Sequence, residues 1–329
     1  MEKETRRPWR RWVVLALMIA GFILGGIFIP VQPEILVAPE KLIEEPLFEN
    51  FFGTGPLYLV NTLPTLALTI ILLVVISFFA NLSLKHSAHT DLVPRGIGNL
   101  MEAILEILYN LTEGSAGEKY ARMIFPWFAT IMVYVLFANL LKLIPGFESI
   151  GVIHHAPQGQ VGHAKELIGG HWYLFTSLKG EYILAPFLRG ISVDLNFTFA
   201  LAVISVVMIQ VVGFRAQGFG YLSKFFNTKR MFKVPFFGAM DFLVGLLELI
   251  SEFSKILSFA FRLFGNMFAG IVLVAIVAGL LGRISILPAM IMLFELFVGV
   301  IQAFVFGMLT MVFMAQATQG HGEEHAEAH

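Results

Sequence analysis

Cysteine is absent from the 329 residues, and charged side chains are scarce at 14% of the chain. The absence of cysteine excludes disulfides, thiolate catalysis and cysteine metal sites. The scarcity of charge excludes an ordinary soluble enzyme, a disordered protein and a nucleic-acid-binding protein, because a soluble domain carries about 25% charged residues. The net charge of −1 gives no overall field that would recruit nucleic acid or acidic substrates. The sequence therefore predicts an integral membrane protein, in agreement with 57% hydrophobic residues and a mean hydropathy of +0.79.

Long apolar runs divide the chain into membrane segments. A helix needs about 20 apolar residues to cross the hydrocarbon core. Six runs approach or exceed this length: residues 13–29, 57–84, 123–141, 195–214, 236–282 and 284–316. The last two would reach about 70 and 50 Å as straight helices, so they must tilt strongly, break or extend beyond the hydrocarbon. We expect an all-α integral membrane protein with about six membrane helices, of which the last two form a long, tilted hairpin.

A shorter segment between the second and third runs has a different pattern. In residues 97–111, leucine and isoleucine recur at helical spacing, whereas Glu102 and Glu106 lie on another face. This pattern predicts an amphipathic helix on the inner membrane surface. An ordinary surface helix in a small loop would have nearly the same pattern and is the alternative.

The distribution of lysine and arginine predicts the orientation. The N-terminal arm and the segments 85–122 and 215–235 are basic, whereas loops 30–56 and 146–193 are poorer in basic residues. Both termini are therefore expected on the inner side. We divide the chain into a basic arm and extra anchor (1–30), an outer loop (31–56), a membrane domain (57–317, with outer loop 146–193) and a charged inner tail (318–329). A cleaved signal peptide at the N-terminus is the alternative to the anchor.

Polar side chains in the last two apolar runs carry the functional signal, because charges inside membrane segments are costly and usually functional. Arg262 stands alone in the 27 residues between Lys255 and Arg283. Two polar stripes follow helical spacing: one consists of residues seven or four apart, and the other of two residues seven apart. The stripes are Glu248, Lys255, Arg262 and Asn266 in the first helix, and Glu295 and Gln302 in the second. If the stripes face each other, they line a polar path within the membrane.

Arginine and glutamate suit different parts of such a path. Arg262 stays protonated at physiological pH, so it cannot relay protons, but it can lower the pKa of a carboxylate brought opposite it and block proton leakage. Glu295 can take up and release protons. The alternative is that these groups only hold helices together, which explains Asn266 and Gln302 easily but leaves Arg262 without an acidic residue within a helical turn.

These residues resemble those of a known family. The segment FRLFGNMFAG around Arg262 and the segment IQAFVFGMLTMVFM, residues 301–314, are similar to subunit a of F-type ATP synthases. The resemblance covers about residues 57–317. It implies that Arg262 is the essential arginine of the family, that Asn266 is its asparagine one helical turn later, and that Gln302 is the glutamine of its last helix. Asp194 and Asn196, in ISVDLNFTFAL, resemble the polar start of the family's middle helix, near the outer proton inlet.

The resemblance also implies partners and a route for protons. A ring of c subunits would turn against this chain, with b-type stator stalk subunits, the rest of the ATP synthase complex and membrane lipid as further partners. The outer half-channel would be lined by Asp194, Asn196, Glu295 and Gln302. The candidates for the inner one are Glu248, Glu252 and Lys255. Arg262 would lie between the two half-channels and prevent a short circuit. Coupling to protons or to sodium stays open.

The chain departs from the family pattern at two positions that we interpret together. Some members carry an acidic residue just after the motif glycine, where this chain has Ile271, and a histidine where it has Glu295. We expect that the carboxylate has moved to the neighbouring helix and serves the same proton inlet.

Other features bear on the class of protein. No P-loop pattern is present, so we expect a non-catalytic transport subunit that uses no cofactor or metal and leaves ATP chemistry to partner subunits. The histidines of loop 146–193 are expected to be solvated rather than metal-bound. A bacterial plasma membrane is the expected location. A self-contained ion channel or secondary transporter, and a purely structural membrane subunit, are the alternative functions.

Overall fold

The computed structural model describes residues 12, 39–43, 45–49, 56–88, 96–142, 144, 147–148, 150–155, 172–173, 182–225, 235–281 and 287–319. The long helices among them are α1 Thr62–Ala88, α2 Ile97–Leu141, α3 Leu195–Gln217, α4 Pro235–Leu281 and α5 Leu287–Thr318. Each contains a segment long and apolar enough to cross a membrane. The predicted helical membrane fold is thus confirmed for the last five of the six predicted segments. The anchor at 13–29 and all but the first two residues of the tail lie outside the described residues.

Helix α2 joins two elements that the sequence analysis treats separately. The expected surface helix at 97–111 and the apolar run at 123–141 both belong to Ile97–Leu141. The helical geometry is interrupted at Gly117, where φ is 74° and ψ is 159°. Glycine adopts a positive φ without the Cβ clash that other residues suffer. The two predicted elements are therefore helical segments on either side of a kink.

The chain divides into two compact units. The larger unit comprises Thr62–Lys142, Gly190–Phe268 and Leu296–His329, and the smaller comprises Met1–Asn61, Leu143–Arg189 and Ala269–Glu295. The smaller unit holds a three-stranded antiparallel sheet with strand order β2-β1-β3. Its strands are β1 Gly151–His155, β2 Trp172–Tyr173 and β3 Tyr182–Pro186. This sheet falls in loop 146–193, where the sequence analysis predicts no regular structure.

Helices α2, α3, α4 and α5 all contribute buried side chains to the core of the larger unit. Phe128, Phe259 and Phe306 are fully buried. The rings of Phe259 in α4 and Phe306 in α5 lie 5.2 Å apart, and a Cβ at Gly307 would lie 2.8 Å from Cβ of Met132 in α2. Close packing of this kind holds side chains in single rotamers, so polar groups carried by these helices are placed on a rigid frame.

Helix α4 is the longest of the described helices, and the rest of the chain covers little of it. It is one α-helix of 47 residues, which is about 70 Å long, so the long apolar run does not break. Only 17% of its most apolar membrane window is buried, compared with 39% of that of α5. The remaining surface carries exposed side chains such as Leu247, Phe253 and Phe261. A face this apolar and this long is typical of a surface that contacts lipid or another membrane subunit.

Candidate functional site

Arg262 lies on the exposed side of α4, on a face that also carries serine residues. Its guanidinium donates a hydrogen bond from Nη2 to Ser258 Oγ at 3.4 Å, one helical turn earlier. Among the described residues, Ser258 is its only hydrogen-bond partner and no carboxylate forms an ion pair with it. Ser251 and Ser254 are exposed and continue the same face. The permanent charge of Arg262 is therefore half-buried, with no opposite charge paired to it in the described part of the chain.

Asn266, one helical turn after Arg262, connects α4 to α5. Its amide nitrogen Nδ2 donates to Gln302 Oε1 at 2.6 Å. Gln302 is only 3% exposed, and its own Nε2 has no hydrogen-bond partner in the described part of the chain. An amide that is this deeply buried is costly unless it is hydrogen-bonded. One residue of each polar stripe thus meets the other here, and Gln302 retains a buried donor without a partner among the described residues.

A second set of buried polar groups reaches α5 from the start of α3. Asn139 in α2 accepts a hydrogen bond from Ser192 Oγ at 2.6 Å and donates one from Nδ2 to the carbonyl oxygen of Gly299 at 3.1 Å. Ser192 and Asn139 are 2% and 1% exposed. Gly299 precedes Gln302 by three residues on α5, so the two lie on the same face. The chain of polar groups thus leads toward the Asn266–Gln302 pair.

Asp194 lies next to this series of buried polar groups and caps α3. Its Oδ1 accepts from the backbone N–H of Asn196 at 2.9 Å, and its Oδ2 accepts from Thr62 Oγ1 of α1 at 3.0 Å. A carboxylate at this position satisfies one of the unpaired N–H groups at a helix start and is stabilised by the helix dipole. Asp194 is buried, whereas the side chain of Asn196 is exposed. Of the two predicted residues, only Asp194 is therefore part of the buried set.

The residues proposed from the sequence for the inner side form a separate cluster. Glu252 is 6% exposed. It accepts hydrogen bonds from Gln210 Nε2 at 2.8 Å and from Lys255 Nζ at 2.9 Å. Tyr221 donates to Gln210 Oε1 at 2.7 Å, and the Lys255 ammonium lies 4.6 Å from the centre of the Phe313 ring. Glu252 and Lys255 thus neutralise each other in a buried network, whereas Glu248 is only partly covered.

In the smaller unit, Glu295 of α5 lies against Gly270 of α4. A Cβ placed on Gly270 would contact the carboxylate oxygen Oε1 and would lie 2.8 Å from Cδ. Glu295 is 8% exposed. Gly270 immediately precedes Ile271, the position at which some relatives of the resembled family carry the acidic group. The carboxylate of Glu295 therefore lies beside the backbone of Gly270, one residue before that position.

Several polar partners were not found from the sequence. Gln210 and Tyr221 belong to the hydrogen-bond network of Glu252, and Ser192 donates to Asn139. The distance in sequence between these three residues and the functional residues follows no helical period, so the sequence did not indicate them. Asn139 did have a signal, because it is the lone amide in the apolar run 123–141, and polar groups at such places are usually functional.

Comparison with known proteins gives one consistent family. Residues 65–315 match the family described as ATP synthase A chain. A Campylobacter jejuni protein named ATP synthase subunit a is 31% identical over 263 residues, which are 78% of this chain and 90% of that protein. A Helicobacter pylori protein of the same name is 30% identical over 256 residues, 77% of this chain and 90% of that protein.

Proposed function

Because the chain belongs to the ATP synthase A chain family, we propose that it is the stator subunit through which protons reach and leave a rotating ring of c subunits. The chain is a multi-pass membrane protein and a component of the ATP synthase complex. The single observation that carries the proposal is Arg262. It lies on a helix of which only 17% of the membrane window is buried, with no carboxylate paired to it among the described residues, as a site for a carboxylate of another subunit requires.

Arg262 acts on the ring carboxylate that passes it. A protonated carboxyl group that approaches the guanidinium becomes more acidic, because the opposite charge favours the ionised form. The proton is released, and the carboxylate pairs with Arg262 until the ring moves on. Since arginine cannot itself lose a proton under these conditions, no proton crosses directly past Arg262.

The outer half-channel runs along the buried polar groups that lead from Asp194 toward Gln302. Its side chains are Asp194, Ser192, Asn139 and Gln302, with Glu295 two helical turns before Gln302 on α5. Asn139 and Gln302 orient water, since amides offer both donors and acceptors. Glu295 takes up and releases protons, and Asn196 lies at the exposed entrance. The hydrogen bonds at Asn139 and Gln302 support this route.

The inner half-channel is assigned to the other end of α4. Protons leave past the exposed Ser258, Ser254 and Ser251, which share the face of Arg262. The Glu252–Lys255 pair lies beside this face and holds its charge in balance, and Glu248 lies one turn further toward the exit. Each crossing of the membrane potential supplies about 2.3 kcal/mol per proton per 100 mV, so several protons must pass for one ATP. ATP chemistry itself resides on partner subunits.

The arrangement of the remaining parts completes the proposal. Residues 1–30 form an extra anchor, 31–56 an outer loop, 57–317 the conducting domain and 318–329 an inner tail, with both termini cytoplasmic in a bacterial plasma membrane. The b-type stator stalk subunits hold this chain still while the ring turns. The alternation of basic and poorly basic loops in the sequence supports this orientation.

A conduction assay tests the proposal against a self-contained channel or transporter. Membrane vesicles that hold the complex, stripped of its ATP-hydrolysing part, should conduct protons passively under an imposed potential. Liposomes that contain this chain alone should not, because the ring carboxylate is missing. Proton flux through the isolated chain at the rate of the stripped complex would reject the two-subunit mechanism.

Replacing Asn139 by alanine is expected to reduce ATP-driven proton pumping about tenfold, since loss of an oriented amide leaves partners worth ~1–3 kcal/mol unsatisfied. Ser192 and the Gly299 carbonyl would lose their shared partner. Pumping is measured in inverted vesicles with the amount of assembled complex quantified. Asn110→Ala is the matched control, because Asn110 is an exposed amide of the same helix and should leave pumping unchanged. Equal effects of the two substitutions would contradict the assigned route.

Gly270→Ala is expected to displace the Glu295 carboxylate without harming assembly. The added Cβ would meet the end of the Glu295 side chain, and a flexible side-chain end can move at little cost to stability. Pumping should fall by about tenfold or more, because misplacing a reacting group by about 1 Å can lower a rate by up to about 100-fold. Gly114→Ala in α2, where nothing lies within 4 Å of an added Cβ, is the control. Unchanged pumping in Gly270→Ala would show that the position of this carboxylate is unimportant.

A further inference from the structure

A groove between α3 and α4 is not used by the proposed proton route. Its volume is about 560 Å³, and it is formed by one face of α3, one face of α4 and the 3-10 helix Gly218–Lys224 that follows α3. Most of its lining is aliphatic or aromatic, including Val206, Phe214, Leu222, Phe225, Phe253 and Ile256. Such walls are unsuited to a file of water, because they offer it no hydrogen-bond partners.

The two charged residues that line the groove differ in whether their charge is neutralised by a neighbour. Glu252 lies in the wall, but its carboxylate is already engaged by Gln210 and by the Lys255 ammonium, so it does not present an uncompensated negative charge. Arg215 also lines the groove, lies in the last turn of α3 and is exposed. The sequence from residue 215 to residue 235 contains five basic residues and no acidic one. The Arg215 end of the groove is therefore the positively charged end.

The length of the groove matches one leaflet of a bilayer. Along α3 its lining extends from Val206 to Arg215, and the nine helical rises between them span about 14 Å. The hydrocarbon core is about 30 Å thick, so one acyl chain spans about 15 Å. A cation at one end of a lipid-length apolar groove matches a phospholipid that carries a negative head group.

We propose that this groove holds one acyl chain of an anionic phospholipid, whose phosphate binds the Arg215 guanidinium. The lipid fills the space between α3 and α4 beside the buried Glu252–Gln210–Tyr221 network and keeps water away from it. The proposal depends on the membrane location of the chain and not on the route of protons.

Fluorescence quenching in the assembled complex tests the site. Leu222→Trp places an indole at the groove, and Ile204→Trp places one on another face of α3; the native residues are 46% and 53% exposed. Complexes in nanodiscs receive brominated phosphatidylglycerol or brominated phosphatidylcholine at equal mole fraction, and the signal of the parent complex is subtracted. Quenching by the anionic lipid relative to the neutral lipid should be about fivefold greater at the groove than at the control, the enrichment expected for one arginine.

Arg215→Gln in the Leu222→Trp background should lower this ratio to that of the control position. Native mass spectrometry of the complex gives an independent measure, and it should retain one phosphatidylglycerol fewer per complex in Arg215→Gln than in the parent. Equal ratios at the two tryptophan positions would overturn the proposal. It would also be overturned if only aqueous iodide quenches Leu222→Trp, which would mean a water-filled groove, or if nothing quenches it, which would mean a protein segment fills the groove.

Discussion

Arg262→Ala should abolish ATP-driven proton pumping while leaving the complex assembled. The substitution removes a permanent charge from the exposed face of α4, where Ser258 is its only hydrogen-bond partner in the described part of the chain. Few contacts within this chain depend on the guanidinium, so stability should change little. Loss of one preorganised charge at a site of low dielectric costs about 100-fold or more in rate, which brings pumping to background. Acidification of inverted vesicles on ATP addition is the measurement.

Two further variants separate charge from shape in this experiment. Arg262→Lys keeps the positive charge but loses the planar fork that pairs with a carboxylate through two hydrogen bonds, so it should pump weakly. Arg122→Ala removes an exposed arginine from α2 and should pump normally. A complex that fails to assemble with Arg262→Ala would favour a structural role for the residue, and normal pumping by an assembled complex would exclude it from the mechanism.

Glu295→Gln should reduce pumping nearly as strongly, and the remaining activity should depend on pH differently. Glutamine has almost the shape of glutamate and can occupy the space beside Gly270, but it cannot take up or release a proton. Removal of a general acid–base group typically costs 100-fold or more, about 10²–10⁴. The rate is measured at several pH values, with the membrane potential clamped by potassium and valinomycin.

Glu295→Asp provides the informative comparison, because it keeps a carboxyl group on a shorter side chain. It should retain more activity than Glu295→Gln and should keep the pH dependence of the parent. Glu106→Gln, at an exposed position of α2, controls for the loss of one negative charge. If Glu295→Gln pumps at the parent rate with an unchanged pH profile, the proposal that this carboxylate serves the outer inlet is wrong.

The sequence alone identified those candidate residues that are polar but lie within apolar runs. Arg262, Glu295 and Gln302 stand out because charge and amide groups are rare in apolar runs, and helical spacing placed Asn266 with Arg262. The contact between Asn266 and Gln302 at 2.6 Å joins the two predicted stripes. Helical period and composition alone were thus sufficient to select these four residues as candidates.

Other parts required the three-dimensional arrangement. Ser192 meets Asn139 across 53 residues and Asn139 meets Gly299 across 160, and no local period encodes such pairings. The kink at Gly117 was missed because glycine in a helical pattern signals only a weak preference. The sheet in loop 146–193 was missed because its strands are short and widely separated in sequence.

The poor coverage of α4 has a consequence for the synthesis of the complex in the cell. A helix of 47 residues with 17% of its membrane window buried would leave Arg262 and the three serines in contact with lipid until the proposed partner subunit covers them. Exposing a charge to lipid is unfavourable, so the newly inserted chain is less stable before this face is covered. Under the proposed function, the chain is stabilised only once the ring covers α4, so its stability in the membrane depends on the supply of ring subunits.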